Sequence, residues 1–182
     1  MNFISTPIPD LTVIEPQIWK DERGFFIETY NEKSFKAHGI DETFVQDNLS
    51  YSQKGVLRGM HAQAGENAQG KLVRVLRGRV LDVAVDIRRG SETYGQSFSI
   101  ILDEYQAKSL WIPPGFLHGF LALENDTIFT YKVTGFYDRS GEVGVRWNDP
   151  DLNIDWPIRE KELIVSEKDR QLPLLSDMAN PF

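Results

Sequence analysis

Val80-Leu81-Asp82-Val83-Ala84-Val85-Asp86-Ile87 alternates without a break. A strand turns successive side chains to opposite faces, so Leu81, Val83, Val85 and Ile87 share one face. Val80, Asp82, Ala84 and Asp86 share the other, and its two carboxylates suit a polar barrel mouth better than a dry core. Outward from this strand, short runs of β-branched and aromatic residues recur in both directions. They fall at 12–14, 44–46, 56–63 and 71–76 before it, and at 98–102, 110–112, 120–123 and 127–134 after it. Turn signals separate them, among them Arg77-Gly78, Arg89-Gly90-Ser91 and Pro113-Pro114-Gly115. That rhythm predicts an all-β sandwich or barrel. Helix is scarce. Asn31 is placed to cap a short helix through His38, ended by Gly39, and Arg159 to Leu163 reads as a second helical piece. Val165 to Asp169 has no definite period.

The 182 residues fit one domain, 1–182, with no repeat, low-complexity tract or linker. The apolar fraction of 41% and charged fraction of 26% are those of an ordinary soluble globule. A net charge of -7 argues against a sequence-independent nucleic-acid surface, although a local arginine cluster can still receive an anion. The absence of cysteine excludes disulfides, thiolate chemistry and Cys-based zinc sites. No signal peptide and no apolar run of membrane-spanning length is visible, which predicts a cytoplasmic protein with no membrane partner.

The most informative chemistry lies in Val56-Leu57-Arg58-Gly59-Met60-His61-Ala62-Gln63, followed by Lys71. It sets one of only three histidines on a short apolar strand, close to cations. Imidazole exchanges protons near neutrality, and fixed cations stabilise developing negative charge. The combination suggests proton abstraction from a carbon acid. If the strand is regular, however, Arg58 and His61 point to opposite faces, and only a bulge at Gly59 would bring them together.

A second segment, Leu110-Trp111-Ile112-Pro113-Pro114-Gly115-Phe116-Leu117-His118-Gly119-Phe120, resembles the second motif of the cupins, small jelly-roll barrels. Metal-binding cupins add a His-x-His pair and a carboxylate. Here the pair reads His61-Ala62-Gln63 and Glu66 is displaced, so the set falls short of the usual three or four ligands, and no metal is expected.

Read together, the segments are more specific. They are Asp21 to Glu28, Phe44 to Asn48, Val56 to His61, Gly65 to Arg74, Asp82 to Arg88, Leu110 to Phe120, Tyr131-Lys132, Trp147 to Pro150 and Ser166 to Asp169. In this order the chain resembles the dTDP-4-dehydrorhamnose 3,5-epimerase family, from about Asp10 to Asp169. The resemblance implies a cupin jelly roll (a double-stranded β-helix) with a few short helices. It also implies a cofactor-free isomerase of dTDP-4-keto-6-deoxyhexoses that acts as a homodimer. His61 matches the general base, Asp169 its carboxylate partner, Lys71 the cation beside the C4 oxygen, and Tyr131 the acid on the opposite sugar face. His118 matches a pocket histidine. Arg58, Gln46, Asn48 and Lys168 match positions near the nucleotide or its diphosphate. Arg23, Phe26 and Glu28 match residues lent by the partner subunit.

Each residue has a plainer reading beside this one. His61 could be a satisfied barrel histidine, and Tyr131 a buried ring with a bonded hydroxyl. Lys71 and Arg74 could be solvated strand-edge charges, and nothing local ties Asp169 to a residue so distant. His38 receives no role. Cations beside Tyr131 would lower its pKa and ease proton donation. Two positions depart from the family spelling: Leu49 stands for histidine and Ala62 for an aromatic residue, both expected near the pocket. They leave open a mono-epimerase acting at C3 or C5 alone. A metal-dependent cupin enzyme and a non-catalytic nucleotide-sugar-binding jelly roll are the alternatives of other classes.

Overall fold

Alternating runs need partners on both faces, and the chain supplies them by stacking sheets. The structure, a computed structural model, describes residues 1–182. Its strands and helices begin with β1 (Asn2–Ser5), β2 (Thr12–Glu15), β3 (Ile18–Asp21), β4 (Gly24–Ile27), α1 (Glu32–Ala37), β5 (Gln46–Ser52), β6 (Val56–Gln63) and β7 (Lys71–Arg77). They continue with β8 (Arg79–Asp86), β9 (Ser97–Asp103), β10 (Ser109–Ile112), β11 (Phe116–Ala122), β12 (Thr127–Val133), β13 (Glu142–Gly144), β14 (Ile164–Val165) and α2 (Glu167–Arg170). One sheet runs β1-β2-β10-β7-β12-β5, and the other β13-β6-β11-β8-β9 with β14 added in parallel to β6. β3 and β4 form a separate two-stranded ribbon. The remaining pairings are antiparallel, and the facing sheets make a cupin-like jelly roll.

Strand parity decides what lies between the sheets. Val73 and Val75 of β7, Leu110 and Ile112 of β10 and Phe129 of β12 meet Val80, Ala84, Leu102, Phe116 and Phe120 of the opposite sheet. The apolar face of β8 turns the other way. Leu81, Val83, Val85 and Ile87 are covered there by the C-terminal third of the chain, including Trp147, Leu152, Leu163 and Met178. A third cluster lies under α1, where Phe35 and Ile40 meet Ile14, Leu72 and Trp111 on the outer face of the first sheet.

The expected polar barrel mouth on β8 is therefore corrected. Asp82 and Asp86 do share the inward face, but both are fully buried. Asp86 accepts hydrogen bonds from Arg88, Ser91 and Thr93, and Asp82 binds His118. Asp86 is met by protein donors rather than by solvent, as a buried carboxylate requires, whereas Asp82 is met only at Oδ2 and its Oδ1 has no partner.

The helix at α1 starts where expected, with Asn31 Oδ1 accepting from Ser34 N at 3.1 Å. Arg159 to Leu163 gives only a single 3-10 turn, Glu160–Glu162, too short to bury an apolar stripe. The strand expected at 44–46 instead runs Gln46–Ser52, and β11 begins at Phe116 rather than Phe120. No helix is long and apolar enough to cross a membrane.

Candidate active site

The inward face of one end of the barrel is polar, and the register explains why the polar groups meet. On β11 the pairing moves from His118 to Phe120, while on β6 it moves from His61 to Arg58. β6 thus carries one extra residue, a bulge at Gly59, where φ is +123°. A side chain is excluded there, since a Cβ on Gly59 would lie 2.6 Å from Gly119 Cα. The bulge resolves the parity conflict, and Arg58 and His61 line the same cavity.

That cavity measures about 590 Å³ and is walled by both sheets and α2. His61 and His118 enter from paired positions on β6 and β11, and Lys71 and Tyr131 from β7 and β12 opposite. A smaller cavity of about 190 Å³ shares His61, Lys71 and Tyr131 and adds Gln46 and Asn48. The volumes suit a ligand of sugar-nucleotide size.

His61 Nε2 lies 2.8 Å from Asp169 Oδ1. Asp169 reaches it because Ser166 caps α2, its Oγ accepting from Asp169 N at 3.1 Å. Gly59 N donates to the other oxygen, Oδ2, at 3.4 Å. Burial alone would raise the Asp169 pKa, but the bond and charge of His61, with Gly59 N and Ser166, hold it below the usual carboxylate value. The carboxylate stays ionised and orients the ring. His61 is no buried core histidine, since its side chain is 27% exposed at the cavity wall.

Lys71 is no solvated edge charge either. β7 is a central strand between β10 and β12, and the ammonium donates to His61 O at 3.3 Å. Burial pushes its pKa down to about 8, against the opposing pull of Asp82 and Glu142. Arg74, on the opposite face of β7, is half-buried with its Nε unpartnered.

Tyr131 corrects one expectation. Its environment raises the phenol pKa, because burial outweighs the opposing charge of Arg58. The phenol therefore keeps its proton at neutrality more firmly than free tyrosine does.

His118 Nε2 lies 2.9 Å from Asp82 Oδ2, with Phe129 stacked 6.0 Å away. Gln46 Nε2 donates to Asn48 Oδ1 at 2.8 Å, an i,i+2 pair on one face of β5. Arg58 donates to Ser52 Oγ and Tyr51 O at 3.3 Å, and Lys168 to Glu142 Oε1 at 2.6 Å.

Arg23, Phe26 and Glu28 do not join this group. They sit on or beside the β3–β4 ribbon, where Arg23 pairs with Asp21 and Glu28 accepts from Asn31. Phe25 and Phe26 are 66% and 67% exposed. The expected effect of Leu49 is also corrected: it points outward from β5 and is 65% exposed, out of step with Asn48 and Ser50. Ala62 is buried in the cluster behind β6 and borders only the smaller cavity. His38 caps α1 and stacks on Phe3.

Sequence reasoning assigned no site role to Asp82, Glu142, Ser50 or Ser166. Asp82 was legible as inward-facing on β8 but not as a partner of His118. Glu142 gave no signal, because β13 is three residues long. No three His, Cys, Asp or Glu side chains converge as a metal-holding group.

A carboxylate-bound imidazole on one wall of a jelly roll and a half-buried ammonium and phenol on the other are the groups that proton transfer at carbon calls for. Comparison with known proteins gives the family. Residues 5–177 match the family model described as dTDP-4-dehydrorhamnose 3,5-epimerase. The dTDP-4-dehydrorhamnose 3,5-epimerase of Methanothermobacter thermautotrophicus is 49% identical over 93% of this chain and 91% of its own. The crystal structure of the enzyme of that name from Elizabethkingia anophelis superposes with a TM-score of 0.95 at 47% identity, covering 99% of this chain and 98% of the other. A dTDP-6-deoxy-D-glucose-3,5-epimerase from Legionella pneumophila, in complex with dTDP-4-keto-L-rhamnose, gives 0.92 at 49% identity, covering 96% and 93%. The chain belongs to the dTDP-4-dehydrorhamnose 3,5-epimerase family.

Proposed function

We propose that this chain inverts C3 and C5 of dTDP-4-keto-6-deoxyglucose, with residues 1–182 acting as one catalytic domain. The observation that carries the reading is the pairing of His61 with Asp169 on one wall, facing Lys71 and Tyr131 on the other. The C4 ketone acidifies the protons on C3 and C5. His61 takes one of them, the C–H electron pair becomes the C=C bond of an enolate, and Lys71 holds the charge on its oxygen. Tyr131 returns a proton to the opposite face, which inverts the carbon. The phenolate and imidazolium left behind exchange with water. The sequence then repeats at the second carbon. No step changes an oxidation state, so the chemistry calls for no redox cofactor.

Arg58 and Lys168 are the cations proposed to receive the diphosphate, with Gln46, Asn48 and His118 positioning the substrate. Arg23, Phe26 and Glu28 are proposed to complete the site of a second copy in a homodimer. An isolated two-stranded ribbon is marginally stable in water, and β3–β4 exposes Trp19, Phe25 and Phe26, which fits a partner surface. The two phosphate charges of the substrate keep it on the side of a membrane where it is made, which suits a cytoplasmic enzyme.

Product analysis tests the reading. Borohydride reduction of the reaction mixture is expected to yield L-configured 6-deoxyhexoses. Recovery of only D-configured sugars contradicts it, and a D-sugar inverted at C3 alone favours the mono-epimerase.

A further inference from the structure

Gln63 ends the strand that carries Arg58 and His61, and the proposed steps give it no task. It is only 4% exposed and, like Gln69, lines the smaller cavity. A buried amide needs partners within the protein, and those partners show what it holds.

Both amides hold one loop. Residues 134–141 leave β12 in the first sheet and cross to β13 in the second. The backbone of Gln63 pairs with Glu142 at the start of β13, while its side chain reaches back to Asp138 in the loop. There Gln63 Nε2 donates to Asp138 O at 2.7 Å, and Gln63 Oε1 accepts from Asp138 N at 3.3 Å. One side chain thus satisfies both backbone groups of Asp138, as a neighbouring strand would. At the other end of the loop, Gln69 Nε2 donates to Gly135 O at 2.7 Å and Gly70 N to Thr134 Oγ1 at 2.8 Å. Glycine permits the close approach: a Cβ on Gly141 would lie 2.5 Å from Gln63 Nε2, and one on Gly135 2.8 Å from Asn67 O.

Between these anchors the loop carries Tyr137, whose hydroxyl donates to Glu142 Oε2 at 2.9 Å. Tyr137 and Glu142 wall the smaller cavity beside His61 and Lys71. Phe136 and Tyr137 are 62% and 58% exposed, so burial of their rings does little to fix the loop. The glutamine amides are left to do it. We propose that Gln63 is a positioning residue for the reaction assigned above: with Gln69, it fixes the 134–141 loop so that Tyr137 and Glu142 form a standing wall for the nucleotide sugar. The loop is then ordered on folding rather than on binding, which favours affinity.

The inference rests on the proposed epimerisation, so one readout needs neither substrate nor turnover. Arg139 is an exposed trypsin site within the loop, and Arg159 an exposed site outside it. Gln63→Met keeps the length of the side chain and removes both bonds to Asp138. In the free protein it is expected to speed cleavage after Arg139 by about tenfold or more and to leave cleavage after Arg159 unchanged. Gln69→Met, which loosens the other end, is expected to act in the same direction. Wild-type rates after Arg139 in both variants overturn the proposal. Equal acceleration at Arg139 and Arg159 in both variants marks general unfolding and overturns it as well. With dTDP as the probe, calorimetry is expected to show Kd raised about tenfold in Gln63→Met. In turnover KM is expected to rise by a similar factor, with kcat changed by less than about threefold. A freed loop with wild-type Kd and KM, or a loss confined to kcat, overturns the proposal. Failure of the wild-type protein to bind dTDP defeats the epimerase reading itself, whereas the cleavage rates report on the hold of Gln63 alone.

Discussion

At the scale of single residues, the central assignments separate cleanly by what each substitution leaves behind. His61→Asn keeps a polar side chain beside Asp169 but removes the base, so turnover is expected to fall by at least about 10³-fold with an unchanged circular dichroism spectrum. A folded His61→Asn variant with near-normal turnover would defeat the mechanism. Tyr131→Phe removes only the proton donor. Solvent deuterium should still enter the substrate from the His61 side, while inverted product falls by about 10²-fold, and equal loss of both would remove Tyr131 from its role. Lys71 sets the alkaline behaviour. Burial lowers its pKa to about 8, so the charged form is present below that pH and lost above it. The kcat/KM profile of the free enzyme is therefore expected to decline as pH rises through about 8. A rate flat to pH 10 contradicts this. His61 and Lys71 were legible from residue type and context. Asp169 was legible only through resemblance, because it reaches His61 across 108 positions by way of a four-residue helix.

At the scale of elements, the bulge in β6 does most to assemble the site. Gly59→Ala would place a methyl group 2.6 Å from Gly119 Cα and 2.8 Å from His118 O, in a backbone region that L-residues avoid. Such a variant is expected to lose several kcal/mol of stability, about 2–4, together with activity, as read by urea unfolding and turnover. Wild-type stability in Gly59→Ala would show that the strand tolerates another register. The bulge was legible as a need, from the parity conflict between Arg58 and His61, but not as a geometry. Strand β5 was harder to see. Its inward residues Gln46, Asn48 and Ser50 are polar because they line the site end of the barrel, so the usual apolar alternation is absent. The β3–β4 ribbon was missed for a related reason: its aromatic residues face no core in the single chain, and period-2 patterning reports burial within a chain.

At the scale of the whole molecule, the jelly roll was readable from the rhythm of short strands and turns, since local alternation specifies how many faces must be covered. What covers the apolar face of β8 was not, because the covering segments lie far off at Trp147 to Met178. Dimerisation is testable by complementation. Neither His61→Asn nor Arg23→Ala should be active alone if the partner's ribbon completes each site. Equal mixing after subunit exchange should restore about a quarter of wild-type activity, since half the dimers are mixed and each holds one intact site. No recovery would place Arg23 outside the partner's site. The proposed function stands on carbon-acid chemistry at two positions of one sugar. Proton NMR of dTDP-4-keto-6-deoxyglucose with the enzyme in D2O, without added metal, reads it directly. Loss of the C3 and C5 proton signals together is predicted, and loss of only one would mark a mono-epimerase. Retention of both signals would contradict the account.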